Sequence, residues 1–231
     1  REFILMKKKI AVIGSGIAGL TIANLFKKNL NFEIMVYEKE KTLSLEEGYG
    51  IQLAPNSVSI LNKIGLSSID NKEFSNPSNL NFYSSDNHKI CDLNLSRFNS
   101  EEFKYTTLKR STLIEFLKNK LFANNLRFGK DVKKISKIKE KLLINFKDNT
   151  NDLVDFIVVS DGVFSNTKSI VENKSIQPVY NGSIAIRTIL KNLPESNYDK
   201  NSISLIMLKN AHIVIYPINK KGELNVVCII R

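Results

Sequence analysis

The sequence predicts an α/β fold that opens on a parallel sheet and continues into an antiparallel one. Lys9 to Ile13 is a short apolar run that ends at a glycine, and Ile17 to Lys28 then carries apolar residues at helical spacing. Phe32 to Tyr37 is a second β-rich run, which completes a βαβ unit of about 30 residues. After Lys174 the chain changes to β-rich runs separated by turn residues, as expected for an antiparallel sheet.

Composition places the chain among globular proteins. Its 231 residues are enough for one large domain or two smaller ones, and 42% of them are hydrophobic. No stretch is apolar over the roughly 18 residues that a membrane helix needs, so we expect a soluble protein. Arg1 to Leu5 lack a cleavage site for secretion, and Met6 is the expected natural start. Cys91 and Cys228 form no CxxC pair, which favours a reducing compartment, the cytoplasm.

The formal net charge of +11 raises the possibility of a polyanionic partner. The lysines between residues 133 and 141 are interleaved with isoleucine and not with the aromatic residues that stack on bases. We therefore expect a solvated basic face and no nucleic-acid partner.

The segments after the second strand predict one helix, followed by strands that belong to a different layer of the structure. Asn56 to Ile64 reads as a helix capped by Asn56 and ended by Gly65. The Ser- and Asn-rich stretch that follows carries strand-like pieces at Leu80 to Ser84 and Lys89 to Leu95.

A second strand and helix follow this Ser- and Asn-rich stretch. Tyr105 to Lys109 is short and extended, and Ser111 or Thr112 can cap a helix that runs through Phe122. Leu113, Phe116, Leu117 and Leu121 would share the apolar face of this helix.

The second half of the chain is predicted to be mostly strand. Val132 to Ile138 and Lys141 to Phe146 alternate with a period of two, and the turn Asp148-Asn149-Thr150 leads to a continuous apolar strand, Phe156 to Val159. Four further strands are expected at Ser183 to Leu190, Ile203 to Leu208, Ala211 to Tyr216 and Leu224 to Ile230.

The turn between the first strand and the first helix has the form G-x-G-x-x-G. Gly14 permits the tight turn, Gly16 lets the backbone approach a pyrophosphate, and Gly19 allows the helix to pack closely on the strand. The phosphates would lie on the free N–H groups at the start of the helix, so Ser15, Ile17 and Ala18 complete the predicted site. The turn predicts a dinucleotide cofactor.

An acidic residue ends the second strand. Glu38 follows Gly19 by about 20 residues, the distance at which a carboxylate accepts hydrogen bonds from the adenosine ribose. It would repel a 2′-phosphate, and Lys39 beside it joins the predicted site. These residues alone leave the choice between NAD and FAD open.

Three further segments resemble the p-hydroxybenzoate hydroxylase family of single-component (group A) flavin monooxygenases. They are Gly48 to Asn56 (GYGIQLAPN), Leu108 to Leu113 (LKRSTL) and Val158 to Lys168 (VVSDGVFSNTK). The resemblance runs from Lys7 to about Lys174 and then weakens to a general pattern.

The resemblance assigns roles to individual residues. It implies that Gly50 and Gln52 lie near the flavin ring and that Arg110 reaches the pyrophosphate and ribityl chain. It also implies that Asp161 and Gly162 serve flavin and nicotinamide binding. Lys168 stands where the family usually has arginine. A lysine keeps the positive charge but lacks the planar guanidinium that donates two parallel hydrogen bonds. The resemblance further implies that Val132 contacts adenine through its backbone and that His212, Tyr216 and Pro217 lie near the substrate.

The family resemblance also implies the fold and the cofactors. We expect a Rossmann-like FAD-binding domain of the GR2 type, with a parallel sheet and a β-meander, at residues 1–75 and 100–175. A partial antiparallel-sheet substrate domain would comprise residues 76–99 and 176–231. FAD would be firmly bound and NADH or NADPH a transient co-substrate, because the chain has a single G-x-G-x-x-G. The family's later Gly-Asp motif is missing, so we expect the chain to lack the last third of the catalytic unit.

The implied activity is an FAD-dependent, NAD(P)H-using monooxygenase that hydroxylates an aromatic or quinone-precursor substrate with molecular oxygen through a hydroperoxyflavin. Two alternatives stay open: a non-catalytic or inactive FAD- or nucleotide-binding fragment, and a flavin-dependent reductase on the same scaffold. A halogenase is excluded because its usual motif contains tryptophan and this chain has none. The sequence identifies no catalytic acid or base and leaves oligomerisation open.

Other chemistries lack their usual residues. His88 and His212 have no metal-ligand spacing with either cysteine, so no metal is expected. Neither a Gly-x-Ser-x-Gly elbow nor a Walker loop occurs in the sequence, which argues against acyl or phosphoryl transfer.

Overall fold

A computed structural model describes residues 7–43, 45, 49–191 and 199–231. The predictions for Arg1 to Met6 and for Gly48 lie outside these residues.

The described residues form α-helices and many short strands. The helices are α1 Ile17–Phe26, α2 Pro55–Asn62, α3 Arg110–Asn119 and α4 Asn166–Val171. The strands of the first half are β1 Lys8–Ile13, β2 Phe32–Tyr37, β3 Gly50–Leu53, β4 Phe74–Ser75, β5 Asn79–Tyr83, β6 Lys89–Asn94 and β7 Thr106–Lys109. Those of the second half are β8 Leu126–Arg127, β9 Val132–Ile138, β10 Lys141–Phe146, β11 Asn151–Val154, β12 Phe156–Val159, β13 Ile184–Leu190, β14 Ser202–Met207, β15 Ala211–Pro217 and β16 Leu224–Ile230.

The described residues fall into two compact units. The first comprises residues 1–44 and 114–179, and the second comprises residues 45–113 and 180–231. The sequence placed 45–75 and 100–113 with the cofactor domain, whereas the compact units group them with the later strands. Compactness does not test which residues hold a cofactor, so the functional division of the chain stays a prediction.

A parallel sheet forms the centre of the first unit, in the order β12-β1-β2-β8. Alternate residues of β1 face opposite sides. Ile10 and Val12 pack with Ala23 of α1 on one side, and Ala11 and Ile13 pack on the other side. Strand β1 is therefore buried on both faces, as its continuous apolar run predicts.

The side of the parallel sheet away from α1 is covered by the antiparallel sheet β11-β10-β9. The rings of Tyr37 and Phe146 lie 4.8 Å apart between the two layers. Asn149 takes a positive φ of 65° in the predicted turn after β10. The sequence analysis missed strand β11, which follows that turn.

A six-stranded sheet dominates the second unit, in the order β13-β16-β15-β14-β5-β6. Most neighbours are antiparallel, as predicted, but β14 runs parallel to β5. Strand β5 comes from the earlier Ser- and Asn-rich segment, whereas the strands after Lys174 are antiparallel to one another, as predicted. Strands β3, β7 and β4 form a separate three-stranded sheet.

Several predicted boundaries need correction. Asn56 does not cap α2, because Pro55 already occupies the first turn and Ala54 is the cap residue. Ser111 and Thr112 lie inside α3, because β7 passes directly into the helix at Arg110. Strand β12 has the predicted bounds and lies at the edge of the described parallel sheet, where Phe156 is 53% exposed.

The helices in the described ranges are too short or too polar to cross a membrane.

Candidate functional site

The glycine-rich turn between β1 and α1 is held by close backbone packing. A Cβ added to Gly14 would lie 2.6 Å from the carbonyl oxygen of Ser160, and Gly14 takes a φ of +99°. A Cβ added to Gly19 would lie 2.0 Å from the carbonyl oxygen of Gly14. Contacts this short exclude a side chain, so both glycines are required by the turn itself.

Gly16 differs from these two glycines because its Cβ position is open. No heavy atom lies within 4 Å of it, and the backbone angle φ of −71° is one that any residue adopts. Gly16 is the cap residue of α1, and no side chain caps this helix. The first-turn N–H groups, including those of Ile17 and Ala18, are thus without intrahelical partners and open to an anion.

Glu38 is tied to the glycine-rich turn. Its Oε2 accepts hydrogen bonds from the backbone N–H of Ser15 at 2.9 Å and from the Ser15 hydroxyl at 2.6 Å. Its Oε1 accepts one from the N–H of Glu40 at 3.0 Å. Burial would raise the pKa of Glu38, but the hydrogen bonds from Glu40 and Ser15 outweigh it and lower that pKa. The carboxylate is therefore anionic at neutral pH.

The segment before β9 runs beside the end of β2. The N–H of Lys130 donates to the carbonyl oxygen of Glu38 at 2.8 Å, and the N–H of Gly129 donates to that of Glu40 at 2.9 Å. Val132, two residues further on, is 2% exposed and packs in the core. The structure thus brings the segment that leads to Val132 next to Glu38. Lys39 is exposed, and its Nζ lies 3.9 Å from Glu40 Oε1.

Asp161 lies in the loop after β12, near the glycine-rich turn. Its carboxylate accepts hydrogen bonds from the Ser165 hydroxyl and from the N–H of Thr167 at 3.3 Å. Gly162 follows with a φ of +89° and open space around its Cβ position. Lys168 is exposed, and its backbone N–H donates to the Ser165 side chain at 2.9 Å. The Asp161 side chain therefore organises the start of α4.

Arg110 begins α3, and its backbone N–H donates to the carbonyl oxygen of Tyr49 at 2.8 Å. The side chain is half-buried. Among the described residues its guanidinium has no hydrogen-bonding or ion-pair partner. A half-buried guanidinium without a partner fits a site for an anionic group.

Gly50 is explained by packing within the second unit. A Cβ there would lie 2.7 Å from Asn225 Cβ and 2.7 Å from Ile218 Cγ2. The N–H of Gly50 donates to Asn225 Oδ1 at 2.7 Å. Asn225 is 1% exposed, so this contact anchors β3 to β16.

The Gln52 side chain is hydrogen-bonded to Tyr105, whose hydroxyl donates to Gln52 Oε1 at 2.7 Å. Burial raises the pKa of Tyr216 to about 12, although the Arg187 charge and the nearby Gln52 side chain act in the opposite direction.

The structure separates the three predicted substrate residues. Tyr216 and Pro217 border a cavity of about 380 Å³ together with Ser204, Ile206 and Ile215. His212 lies on the same strand face as Tyr216 but four residues away, roughly 13 Å along β15.

Sequence reasoning missed several residues of these sites. Asn225, Tyr105 and Ser160 are distant in sequence from the glycines and the glutamine that they contact. Their residue types carry no local signal for these contacts. Ser15 was found, but only as a member of the glycine motif.

The described ranges contain no cluster of three or more side chains able to hold a metal ion.

A family model described as an NAD(P)-binding Rossmann-like domain matches residues 12–46. The chain is 27% identical to 6-hydroxynicotinate 3-monooxygenase of Pseudomonas fluorescens, over 78% of this chain and 47% of that protein. It is 27% identical to the 3-amino-4-hydroxybenzoate 2-monooxygenase PtnB3 of Streptomyces platensis, over 94% of this chain and 54% of that protein. The chain spans about half the length of the curated relatives it matches.

Solved structures show the same fold. Klebsiella pneumoniae HpxO, solved with FAD and uric acid, superposes with a TM-score of 0.84 at 19% identity, over 96% of this chain and 56% of that one. The predicted α/β class is confirmed by this similarity. The predicted family resemblance is confirmed as well, because the relatives are aromatic monooxygenases.

Proposed function

We propose that this chain is the cofactor-binding and substrate-facing part of an FAD-dependent monooxygenase that hydroxylates an aromatic or quinone-precursor substrate. One observation carries the proposal: an open Gly16 at an uncapped helix start lies beside an anionic Glu38, in a chain whose relatives are aromatic monooxygenases. NADH or NADPH would be the electron donor and molecular oxygen the second co-substrate.

The first unit supplies the groups that an adenosine diphosphate requires. The N–H groups at the start of α1 would bind the pyrophosphate, which approaches over Gly16. Glu38 would accept a hydrogen bond from the ribose and repel a 2′-phosphate. The backbone near Val132 would contact adenine, since the segment before it lies beside Glu38. These groups fit FAD.

The remaining cofactor residues are proposed from the resemblance together with their geometry. Arg110 would neutralise the pyrophosphate or reach the ribityl chain, because its guanidinium has no partner within the described part of the chain. Asp161 and Gly162 would border the flavin, with the Asp161 side chain holding the loop in place. Gly50 and Gln52 would lie near the flavin ring, although both already have packing or hydrogen-bonding roles in the second unit.

The bound flavin would supply the electron transfer and the oxygen activation. In the overall reaction, one atom of O₂ enters a ring C–H bond as a hydroxyl. The other atom leaves as water, formed with the hydride of NAD(P)H, which supplies two electrons and one proton, and with one further proton from solvent. The protein's residues bind, orient and exclude water from the reacting groups.

Tyr216 is our candidate for orienting the substrate. It borders the cavity of about 380 Å³, and a phenol O–H can donate a hydrogen bond to a bound group. A phenol, hydroxypyridine or carbonyl oxygen on the ring would be such an acceptor.

Two alternatives are distinguished by turnover. The purified 231-residue chain would be loaded with FAD and mixed with NADH or NADPH, with and without 6-hydroxynicotinate or 3-amino-4-hydroxybenzoate. Oxidation of NAD(P)H that rises with the aromatic compound, together with a ring product that carries one oxygen atom derived from O₂, supports the monooxygenase. Oxidation without oxygen incorporation favours a reductase, and retained FAD without any oxidation favours a non-catalytic binder.

A further inference from the structure

We propose that Ser15 is a positioning residue that holds one carboxylate oxygen of Glu38, so that only the other oxygen is presented to the adenosine ribose. This inference rests on the proposed function, in which Glu38 recognises the ribose of FAD. It assigns the Ser15 side chain to Glu38 and not to the cofactor.

Both hydrogen-bond donors of Ser15, its backbone N–H and its hydroxyl, donate to the same oxygen atom of Glu38. Its backbone N–H lies 2.9 Å from Glu38 Oε2, and its hydroxyl oxygen lies 2.6 Å from the same atom. Ser15 is 1% exposed, so its hydroxyl has no open path to a ligand. The backbone of Glu38 is held as well, because its N–H donates to the carbonyl oxygen of Arg127 at 2.8 Å and its own carbonyl accepts from Lys130.

The hydrogen-bonding capacity of the carboxylate follows from these contacts. Each carboxylate oxygen accepts about two hydrogen bonds. Oε2 is filled by Ser15, whereas Oε1 accepts, from the residues that the structure describes, only the N–H of Glu40 at 3.0 Å. One acceptor position therefore remains, on Oε1. Glu38 would accept a single ribose hydroxyl and could not bridge both hydroxyls with its two oxygens.

Removing the Ser15 hydroxyl changes this arrangement in a defined way. In Ser15→Ala the backbone N–H remains on Oε2, but the carboxylate loses its shortest fixed contact and gains rotational freedom. The expected result is a Glu38 that is less ordered and binds protons more readily. The charge of Lys39 also acts on Glu38 and is unchanged in this variant.

The test compares wild type, Ser15→Ala, Glu38→Gln and the double variant, with Ser67→Ala as a matched exposed control. FAD affinity is measured by quenching of flavin fluorescence. We expect roughly tenfold weaker binding for Ser15→Ala, since hydrogen bonds to charged groups are among the stronger ones. The double variant should bind FAD no more weakly than Glu38→Gln alone. Additive losses would overturn the proposal, because Ser15 would then act independently of Glu38.

A second measurement needs no cofactor. Titration of the Glu38 carboxyl carbon by NMR, in the cofactor-free wild type and in Ser15→Ala, should show a higher pKa in the variant. An unchanged pKa would overturn the positioning role. If the wild type fails to bind FAD, the proposed function fails, whereas the titration still decides whether Ser15 positions Glu38.

Discussion

A Cβ placed on Gly19 would lie 2.0 Å from the carbonyl oxygen of Gly14, the closest approach at any glycine of the first unit. The first and last glycines of the turn are therefore fixed by contact between α1 and the end of β1. Gly16, between them, faces open space. The same motif thus contains two structural glycines and one that a ligand can use.

The Gly19→Ala variant should lose stability. The new methyl group must displace backbone, and overpacking of this kind costs about 1–3 kcal/mol or more. For a chain of this size each kcal/mol corresponds to roughly 2–4 °C in Tm. Thermal unfolding followed by circular dichroism measures the change. A variant that melts with the wild type would contradict the packing described for this turn.

The Gly16→Ala variant should keep its stability and lose cofactor affinity. Its Cβ meets no heavy atom within 4 Å, and its backbone angles suit alanine. The methyl group would instead occupy the space over which the pyrophosphate approaches. FAD titration together with a melting curve separates the two effects. Unchanged affinity would place the cofactor elsewhere.

Arg110→Lys should weaken FAD binding without affecting folding. The guanidinium has no hydrogen-bonding or ion-pair partner among the described residues, so its replacement removes no such contact within that part of the chain. Lysine keeps the charge but loses the planar fork, so we expect a partial loss and a larger one for Arg110→Ala. Arg97→Ala, an exposed arginine of the same unit, is the control. Equal affinities for the Arg110 and Arg97 variants would remove Arg110 from the cofactor site.

Stability should depend on Glu38 in acid. Hydrogen bonds lower the pKa of this carboxyl below its ordinary value of 4.5. Its contribution is therefore fully present above pH 4.5 and is lost as the pH falls through the folded-state pKa. Glu38→Gln should flatten the decline of Tm with pH in that range. Parallel curves for variant and wild type would show that the carboxylate is not stabilised as described.

Asn225→Ala should destabilise the second unit. Asn225 accepts the hydrogen bond from the buried N–H of Gly50, and its removal leaves that donor unsatisfied. Such a loss costs about 1–3 kcal/mol. Chemical denaturation gives the free energy of unfolding. Asn210→Ala is the comparison. Asn210 lies in an exposed turn, and its backbone carbonyl oxygen accepts a hydrogen bond that the variant retains, so the free energy of unfolding should be nearly unchanged.

Local sequence signals predicted much of the first unit. Strand β2 begins and ends at the predicted residues Phe32 and Tyr37, because its apolar run has clear polar limits. The role of Gly19 in close packing could also be predicted, since the G-x-G-x-x-G spacing encodes a local turn.

Contacts between distant segments could not be predicted. Strand β14 pairs with β5 across more than a hundred residues, and no local pattern specifies that partner. The hydrogen bond between Tyr105 and Gln52 is of the same kind. The helix caps were wrong for a different reason: Pro55 and the direct passage of β7 into α3 took precedence over nearby polar residues that are good caps elsewhere.

Binding of FAD by this chain is measured most directly by the visible absorbance spectrum of the purified 231-residue chain after incubation with FAD and removal of unbound cofactor by gel filtration. We expect a flavin spectrum that co-elutes with the wild type and is reduced in Gly16→Ala and Arg110→Ala. Protein that elutes without flavin, although folded by circular dichroism, would show that this chain does not bind FAD.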